Sequence, residues 1–483
     1  MTHALSARQL AALLPGLDGA RPVYRRLFEA IGALILDGRV ALHVRLPAER
    51  GLATALGLSR PTVTACYALL REHGYARSRQ GSGTWTALPE EAVPHGVGRV
   101  LPAPEAAIDL ARAAPGLPPH VLEDALTRVA PQLAAFTRGS GYHPYGLPGL
   151  RAAVADRFTR RGLPTVPEQV LITSGAQHAL SLVIGLLTAP GDRVLVENPS
   201  YPNALEAVRR ARLRPVPVPV SERGWDVEAV EAAFRRAAPR LALLTPDFQN
   251  PTGLLMPEED RARVARAARA RDTRLVIDET MTDLALDCPP PVPFAALARS
   301  HGAAGVITVG SMSKTHWGGL RIGWLRASAR LVTELAGQRI ATDLGGSVLD
   351  QLLAQALLDG DGDGDGLLLG QVEALRGQRA ALVDALTEHF PRWTWRLPPG
   401  GLSLWVDLGA PVATALAEGV LERGVRIESG VCFATDPGVF ENRLRIPYTM
   451  PPALLREAVR RMADTVAEGL RVPSATRRPR LVV

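Results

Sequence analysis

Lysine is almost missing from this sequence: among 55 cationic side chains in 483 residues, 54 are arginine and one is Lys314. Arginine does the surface and ion-pair work of lysine, but its guanidinium holds its proton too tightly to act as an amine nucleophile. Amine chemistry is therefore confined to one position. Cysteine is scarce as well, and Cys66, Cys288 and Cys432 stand far apart without a CxxC pair. That spacing argues against a disulfide framework or a zinc site and predicts three free thiols. No apolar run reaches the roughly 18 residues that a bilayer span needs; the longest, Ala179 to Ala189, stops at Pro190-Gly191-Asp192. A membrane-spanning protein is not expected. The opening MTHALSARQL shows no basic region ahead of a long apolar core, so no secretory signal is read and the cytoplasm is the expected compartment. Extensive disorder is excluded by 47% hydrophobic and 21% charged residues, an ordinary globular composition whose length predicts two or three domains.

What charge there is lies unevenly. Residues 1–89 hold eleven arginines against five carboxylates, a net +6, while the remaining 394 residues carry only +1. Such a segment reads either as a small nucleic-acid-binding module or as a solvated basic face. Within it, Val23, Leu27, Ile31, Leu34 and Ile35 recur at helical spacing over residues 22–38, ending at Gly38. Glu49 to Leu56 predicts a short helix broken by Gly57, and Ser59 is placed to cap a second helix through Tyr67 and Leu70. Two short helices around a glycine turn make a helix-turn-helix. Tyr75–Arg79 and Thr84–Ala87 then flank Gln80-Gly81-Ser82-Gly83 as a wing. From 88 to 107 the chain is rich in Pro, Gly and Ala without a period, as in a linker.

Leu46–Arg50, Leu56–Val63 and Gly81–Thr84 match the pattern Leu-Pro-x-Glu-Arg, Leu-Gly-x-Ser-Arg-x-Thr-Val and Gly-x-Gly-Thr. By these motifs the segment resembles the winged helix-turn-helix of the GntR family of bacterial regulators. The resemblance implies binding to double-stranded operator DNA, with Arg45, Glu49, Ser59, Arg60, Thr62, Thr64, Tyr67 and Gly81 as the DNA-facing set. Residues near the start of a recognition helix reach base edges while hydroxyls and arginines grip phosphate.

Beyond the linker, apolar runs at Gln169–Thr173, Arg193–Glu197, Leu241–Thr245, Leu275–Asp278 and Val306–Val309 alternate with Ala/Leu/Arg helical patterns. Alternation of this kind predicts a mainly parallel α/β sheet. Leu331 to Arg471, with long helices and a strand at Leu402–Leu408, reads as a smaller α/β subdomain. Sites in open parallel sheets lie beyond the carboxyl ends of the strands, and the residues there form a set. Ser174-Gly175-Ala176-Gln177 opens a helix as a phosphate cradle; Tyr201 offers a ring to stack; Asn250 sits in an Asn-Pro-x-Gly turn; Asp278 ends its strand; Ser311-Met312-Ser313-Lys314 ends the next, with Arg321 beyond it. Singly, each is more often a turn or a cap. Together they supply the amine, phosphate anchor, ring packing, ring-hydroxyl contact and pyridine-nitrogen partner that pyridoxal 5′-phosphate requires.

From 108 to 471 the chain resembles the fold-type I aminotransferases. That resemblance implies Lys314 as the aldimine lysine, Ser174, Gly175, Ala176, Gln177, Ser311, Ser313 and Arg321 as the phosphate site, Tyr201 as the stacking ring, Asn250 as the hydroxyl contact and Asp278 as the nitrogen partner. Arg445 is similar to the arginine that pairs with a substrate carboxylate, with Arg443 as a competing candidate. Tyr142, His143 and Tyr145 would belong to a loop near the cofactor phosphate of a partner subunit. The family's Asp-x-x-Tyr pattern is broken, since Asp278-Glu279-Thr280 leads to Met281. The fusion of both parts resembles the MocR subfamily of GntR regulators. It implies a cytoplasmic homodimer with a winged helix-turn-helix over 1–87, a linker over 88–107, an aminotransferase-like domain over 108–473 and a basic tail over 474–483. Such a protein senses pyridoxal phosphate, or an amino acid or amine, through Lys314 and adjusts DNA binding. The alternative is a working aminotransferase fused to a DNA-binding domain, against which Met281 counts. A calcium loop at Asp359–Gly366 is rejected because its twelfth position falls on Gly370 or Val372 rather than Glu, and no metal site is expected.

Overall fold

Ser59 caps its helix through the Thr62 amide at 3.3 Å, and Gly57 takes the left-handed φ of 65° that lets two helices meet at a sharp turn. The helices so joined are the third and fourth of the chain: α1 (Ala7–Leu13), α2 (Val23–Leu36), α3 (Glu49–Leu56) and α4 (Arg60–Glu72). The wing follows as β1 (Ala76–Arg79) paired antiparallel with β2 (Gly83–Thr86). The computed structural model describes residues 4–14, 22–79, 83–88, 108–300, 305–359 and 365–469. Gly81, nearly all of the expected linker, the Gly/Asp repeat at 360–364 and the basic tail lie outside the described residues. Helix α1 is an addition to the sequence reading. Its signal is the reciprocal capping box of Ser6 and Gln9 rather than an apolar face, since only Leu10 of the helix is buried.

Leu27, Ile31, Ile35, Leu52, Val63, Cys66 and Leu70 form the apolar centre of this module. Tyr67 belongs with them, which corrects its expected place on the DNA face. It falls on the α4 stripe of Val63, Cys66 and Leu70, is 1% exposed, and donates its hydroxyl to the Pro47 carbonyl at 2.8 Å. The same apolar cluster continues into Trp405, Phe433, Val439 and Phe440 from the far end of the chain. There the Phe440 amide donates to the Leu36 carbonyl at 2.7 Å and the Asn442 amide to Asp37 at 3.2 Å.

The remaining strands are β3 (Ile108–Asp109), β4 (Val170–Thr173), β5 (Arg193–Asn198), β6 (Arg214–Ser221), β7 (Gly224–Trp225), β8 (Leu241–Leu244), β9 (Arg274–Asp278), β10 (Val306–Ser311), β11 (Gly323–Arg326), β12 (Thr394–Trp395), β13 (Ser403–Asp407), β14 (Val425–Arg426), β15 (Glu428–Ser429) and β16 (Arg443–Pro447). An eight-stranded sheet runs β4-β11-β10-β9-β8-β5-β6-β7, and a four-stranded antiparallel sheet runs β12-β13-β16-β15. In the large sheet β10, β9, β8, β5 and β6 are parallel, whereas β11 runs antiparallel to both its neighbours. Both faces are covered, as a parallel sheet requires. Leu195, Ala242, Leu244, Leu275 and Ile277 join one apolar cluster, while Val194, Val196, Leu241, Leu243 and Val276 join the other. The smaller sheet packs against the helices Asp365–His389 and Pro452–Ala467 through Leu404, Leu444, Leu382, Leu386, Val459 and Met462.

All five expected large-sheet strands are present, and three unexpected ones, β6, β7 and β11, join them between or beside these. In β6 prolines stand at 215, 217 and 219, a pattern that reads as anything but a strand. Alternation removes donors from one side only, and β6 has β5 along one edge and only the two-residue β7 at the end of the other.

Candidate cofactor and effector site

Strand β11 explains how distant residues meet. Its Gly323 pairs with Thr173 of β4 and with Ser311 of β10 at once, so the loops leaving those two strands are laid side by side. A Cβ on Gly323 would come within 2.5 Å of the Gly175 carbonyl carbon, so only glycine permits this approach. Gly175 itself has φ 85° and is the cap of the helix Ala176–Leu187. Arg321 donates from Nη2 to the Ser174 carbonyl at 2.9 Å, Ser311 Oγ donates to Ser313 Oγ at 2.9 Å, and the Ser313 amide donates to Ser311 Oγ at 3.1 Å. Ser174, Gly175, Ala176, Ser311, Ser313 and Arg321 thus converge on one helix N-terminus, where unpaired amides and the helix dipole favour an anion. Gly175→Ala would strain the backbone and bring its Cβ to 2.8 Å from the Arg321 guanidinium. It is expected to cost about 1–3 kcal/mol of stability and to weaken uptake of pyridoxal phosphate at least about tenfold, read by absorbance titration; unchanged uptake would remove Gly175 from the cradle.

Deeper in the cleft, Lys314 follows this turn, half-buried, and its ammonium donates to the Ala113 carbonyl at 2.8 Å. Burial, then the nearby Arg445 and Arg321 charges, push its pKa down to about 8, with Asp278 opposing. Asp278 ends β9 and accepts the Thr280 amide at 2.9 Å. Its carboxyl is pushed up by burial, against the pull of its Thr280 bonds and of Lys314. Tyr201 accepts from the Asn203 amide at 2.8 Å, and Gln177 donates to the Asn203 carbonyl at 3.1 Å, which ties the cradle helix to the tyrosine loop. The side-chain oxygens of Asn250 and Gln177 are buried without a hydrogen-bond partner.

Two residues that the sequence reading passed over hold the Asn250 turn. Gln249 donates to the Pro199 carbonyl at 2.8 Å and to Glu197 at 3.2 Å, and accepts from the Thr252 hydroxyl at 2.7 Å. Glu197 also accepts from the Trp225 indole at 2.8 Å, and burial raises its pKa to about 7 despite these bonds. The available signal was a glutamate inside an otherwise apolar strand run. Met281, where the phenol would stand, is 4% exposed and lies in the apolar cluster of the smaller subdomain beside Phe248 and Leu284.

The two arginine candidates separate clearly. Arg443 is committed to Glu222 at 2.8 Å, Asp407 at 3.0 Å and Asp37 at 3.4 Å. Arg445, 2% exposed, lies near enough to Lys314 for their charges to interact; Nη2 donates to the Ala111 carbonyl, its guanidinium lies 5.0 Å from the centre of the Phe433 ring, and Nε is buried and unpaired. Burial lowers its pKa, with Glu428 and Tyr201 opposing. A buried guanidinium with spare donors suits a carboxylate. Tyr142 is 64% exposed, and Tyr145 is half-buried with its carbonyl accepting from Ile172 of β4 at 3.0 Å, so the loop carrying them borders the cradle strand.

These groups fit a phosphorylated pyridine aldehyde: a glycine-lined anion cradle, one amine, a buried carboxylate, a ring and the Asn250 side-chain amide, whose assignment can flip to present a donor.

On the N-terminal module, Arg45 and Arg60 are exposed while Ser59 and Thr62 are engaged in the α4 cap, their hydroxyls 2.7 Å apart. Thr64 donates to Glu49 at 2.8 Å, and Arg60 lies 3.8 Å from the same carboxylate. Glu49 therefore braces α3 against α4 and sets the pose of Arg60.

The sequence matches the aminotransferase class I and II family over residues 109–462 and the gntR family of bacterial regulatory proteins over residues 23–85. It is 30% identical over 455 residues to the uncharacterized HTH-type transcriptional regulator YisV of Bacillus subtilis, covering 89% of this chain and 92% of that one. It is 34% identical to the probable rhizopine catabolism regulatory protein MocR of Rhizobium meliloti, over 64% of this chain and 66% of the relative. Among solved structures, the α-aminoadipate aminotransferase LysN of Thermus thermophilus, complexed with N-(5′-phosphopyridoxyl)-L-leucine, superposes with a TM-score of 0.69 at 31% identity, over 75% of this chain and 93% of the other.

Proposed function

This chain belongs to the MocR group of GntR-family regulators, in which a winged helix-turn-helix is fused to a class I and II aminotransferase domain, and on that premise we propose that it reports the arrival of a primary amine at Lys314 to the DNA-binding module. It is a DNA-binding transcriptional regulator whose cofactor is pyridoxal 5′-phosphate. The observation that carries the finer reading is the position of its one lysine, in a cleft between an anion cradle and a buried arginine with spare donors. When bound, the cofactor supplies an aldehyde that reacts with primary amines and a ring that accepts an electron pair.

This chain's residues would act as follows. The cradle of Ser174–Gln177, Ser311, Ser313 and Arg321 holds the phosphate. Tyr201 packs the ring, Asn250 contacts its hydroxyl and Asp278 keeps a proton on its nitrogen. Arg445 orients the effector by its carboxylate. With Met281 in the apolar core, no phenol reinforces Asn250, which favours sensing over rapid turnover. The exposed side chains of Tyr142, Ile340, Leu344 and Leu349 are assigned to a homodimer contact, to be checked by sedimentation, and the protein is assigned to the cytoplasm with its DNA. The test is a band-shift titration of the protein's own upstream DNA with and without pyridoxal phosphate. Saturable, sequence-competed binding that responds to cofactor supports the reading; binding indifferent to it overturns the sensor function.

Two further outcomes are expected. The Lys314 amine, with its pKa near 8, is deprotonated in roughly one molecule in ten at pH 7, against fewer than about one in a thousand for an ordinary lysine. The rate of cofactor uptake, followed by the visible band, should therefore rise with pH and level off above about 8.5; a rate still climbing tenfold per unit above pH 9 would contradict this. Arg60→Ala should weaken operator binding by about tenfold and reduce the salt slope by about one. Tyr67→Phe should lower the melting temperature and leave that slope unchanged.

A further inference from the structure

Pairing of β3 with β14 delivers an extended segment straight into the cleft. The Ile108 amide donates to the Gly424 carbonyl at 2.8 Å and the Leu110 amide to the Arg426 carbonyl at 2.7 Å. Directly afterwards, the Ala111 carbonyl takes Arg445 Nη2 and the Ala113 carbonyl takes Lys314 Nζ at 2.8 Å. The two cations on which the functional reading rests thus both lean on one stretch, 110–113. Leu110, Ala111 and Ala113 are buried there with no polar side-chain atom among them. Toward the two cations the polar work is done by backbone carbonyls, while the Arg112 side chain between them is exposed and pairs with Asp109.

We infer that residues 110–113 form a strap that stands in for the polar groups of the effector and releases Arg445 only to a ligand bearing a carboxylate. The inference rests on the reading of Lys314 as the cofactor lysine and Arg445 as the anchor. A carbonyl oxygen is neutral and satisfies part of the guanidinium fork, and Arg445 Nε remains buried and unpaired. A carboxylate brings a full negative charge and a second oxygen matched to that fork, so it is the stronger partner in a buried site. An amine without a carboxylate has nothing to set against the Ala111 carbonyl. The strap therefore makes the site discriminate amino acids from simple amines before any chemistry occurs. It also has a route outward. In sequence, residues 89–107 join it to Leu88, which is 5% exposed in the apolar centre of the DNA-binding module. The segment is held at its start by Asp109, which accepts the Ala111 amide at 2.9 Å and lies 3.4 Å from Arg112.

The experiment compares two inert adducts on the full-length protein: N-(5′-phosphopyridoxyl)-L-leucine and its decarboxylated counterpart, N-(5′-phosphopyridoxyl)-3-methylbutylamine. Hydrogen exchange of the peptide spanning 108–114 and operator affinity are both read. The leucine adduct should speed exchange of this peptide at least about tenfold and the amine adduct should leave it as it was. Equal exchange with both, or slower exchange with the leucine adduct, overturns the strap. In Arg445→Gln the peptide should exchange faster without any adduct and the two adducts should then behave alike; a difference between them persisting there also overturns it. Operator affinity that ignores both adducts while the strap opens counts against the regulatory reading and leaves the strap standing.

Discussion

Lys314→Arg should abolish the visible absorption of lysine-bound pyridoxal phosphate and remove the response of operator affinity to cofactor, while operator binding without cofactor stays within about twofold of the wild type. The substitution is chosen because 54 other positions already use arginine, so it keeps a cation facing the Ala113 carbonyl and deletes only the amine. A guanidinium cannot be deprotonated near neutral pH and forms no covalent link to an aldehyde. The cradle at Ser174–Gln177 and Arg321 is untouched, so some non-covalent retention of the phosphate is expected. Affinity for pyridoxal phosphate should still fall by at least about a hundredfold, the loss of roughly 2.7 kcal/mol. Lys314→Ala serves as the companion variant, since it also frees the Ala113 carbonyl. Should Lys314→Arg still answer to cofactor, the signal depends on charge in the cleft rather than on the amine.

Arg443→Ala should destabilise the protein by about 3–5 kcal/mol, the cost of breaking a buried ion cluster and leaving its partners uncompensated. The Arg443 side chain is 8% exposed and lies 3.0 Å from Asp407 and 3.4 Å from Asp37. Without it those two carboxylates face each other with only the Asn442 amide between them. Burial already pushes the Asp37 carboxyl above its ordinary value, and Arg443 is the main group opposing that. Calorimetry should show the loss, and because Asp37 belongs to the N-terminal module, that module should melt as a separate, earlier transition. Asp37→Asn, which keeps a hydrogen-bond acceptor and removes a charge, should cost less. A single undisturbed transition in Arg443→Ala would mean that the apolar contacts of Leu36, Phe433 and Phe440 hold the module alone.

Much of this architecture could be read from the residues, for reasons that differ by element. The helix-turn-helix was legible because Ser59 and Gly57 are local signals that act within a few residues. The five expected strands were legible because a sheet covered on both faces must be written as continuous apolar runs. Strand β6 was hidden by its prolines, whose tolerance depends on an edge that no local pattern reports. Tyr67 was misplaced because membership of a motif says nothing about which side of a helix a residue occupies, whereas its spacing from Val63 and Leu70 does. Arg443 and Arg445 stood as rivals because positions two apart in a strand share a face. What separates them is the set of carboxylates around Arg443, namely Glu222, Asp407 and Asp37, the last 406 residues away in sequence. The contacts of Ala111 and Ala113 were invisible in principle, since a backbone carbonyl belongs to every residue type.

That shared face has a thermodynamic reading. Strand β16 carries on one side both the arginine committed to the DNA-binding module and the arginine assigned to the effector, within the span of a single dipeptide step. Any rearrangement that moves one is felt by the other, and linkage then runs in both directions. If an effector changes operator affinity by some factor, operator DNA must change effector affinity by the same factor. Protein resident on its operator and protein free in solution would therefore sample the same pool of amino acid with different thresholds.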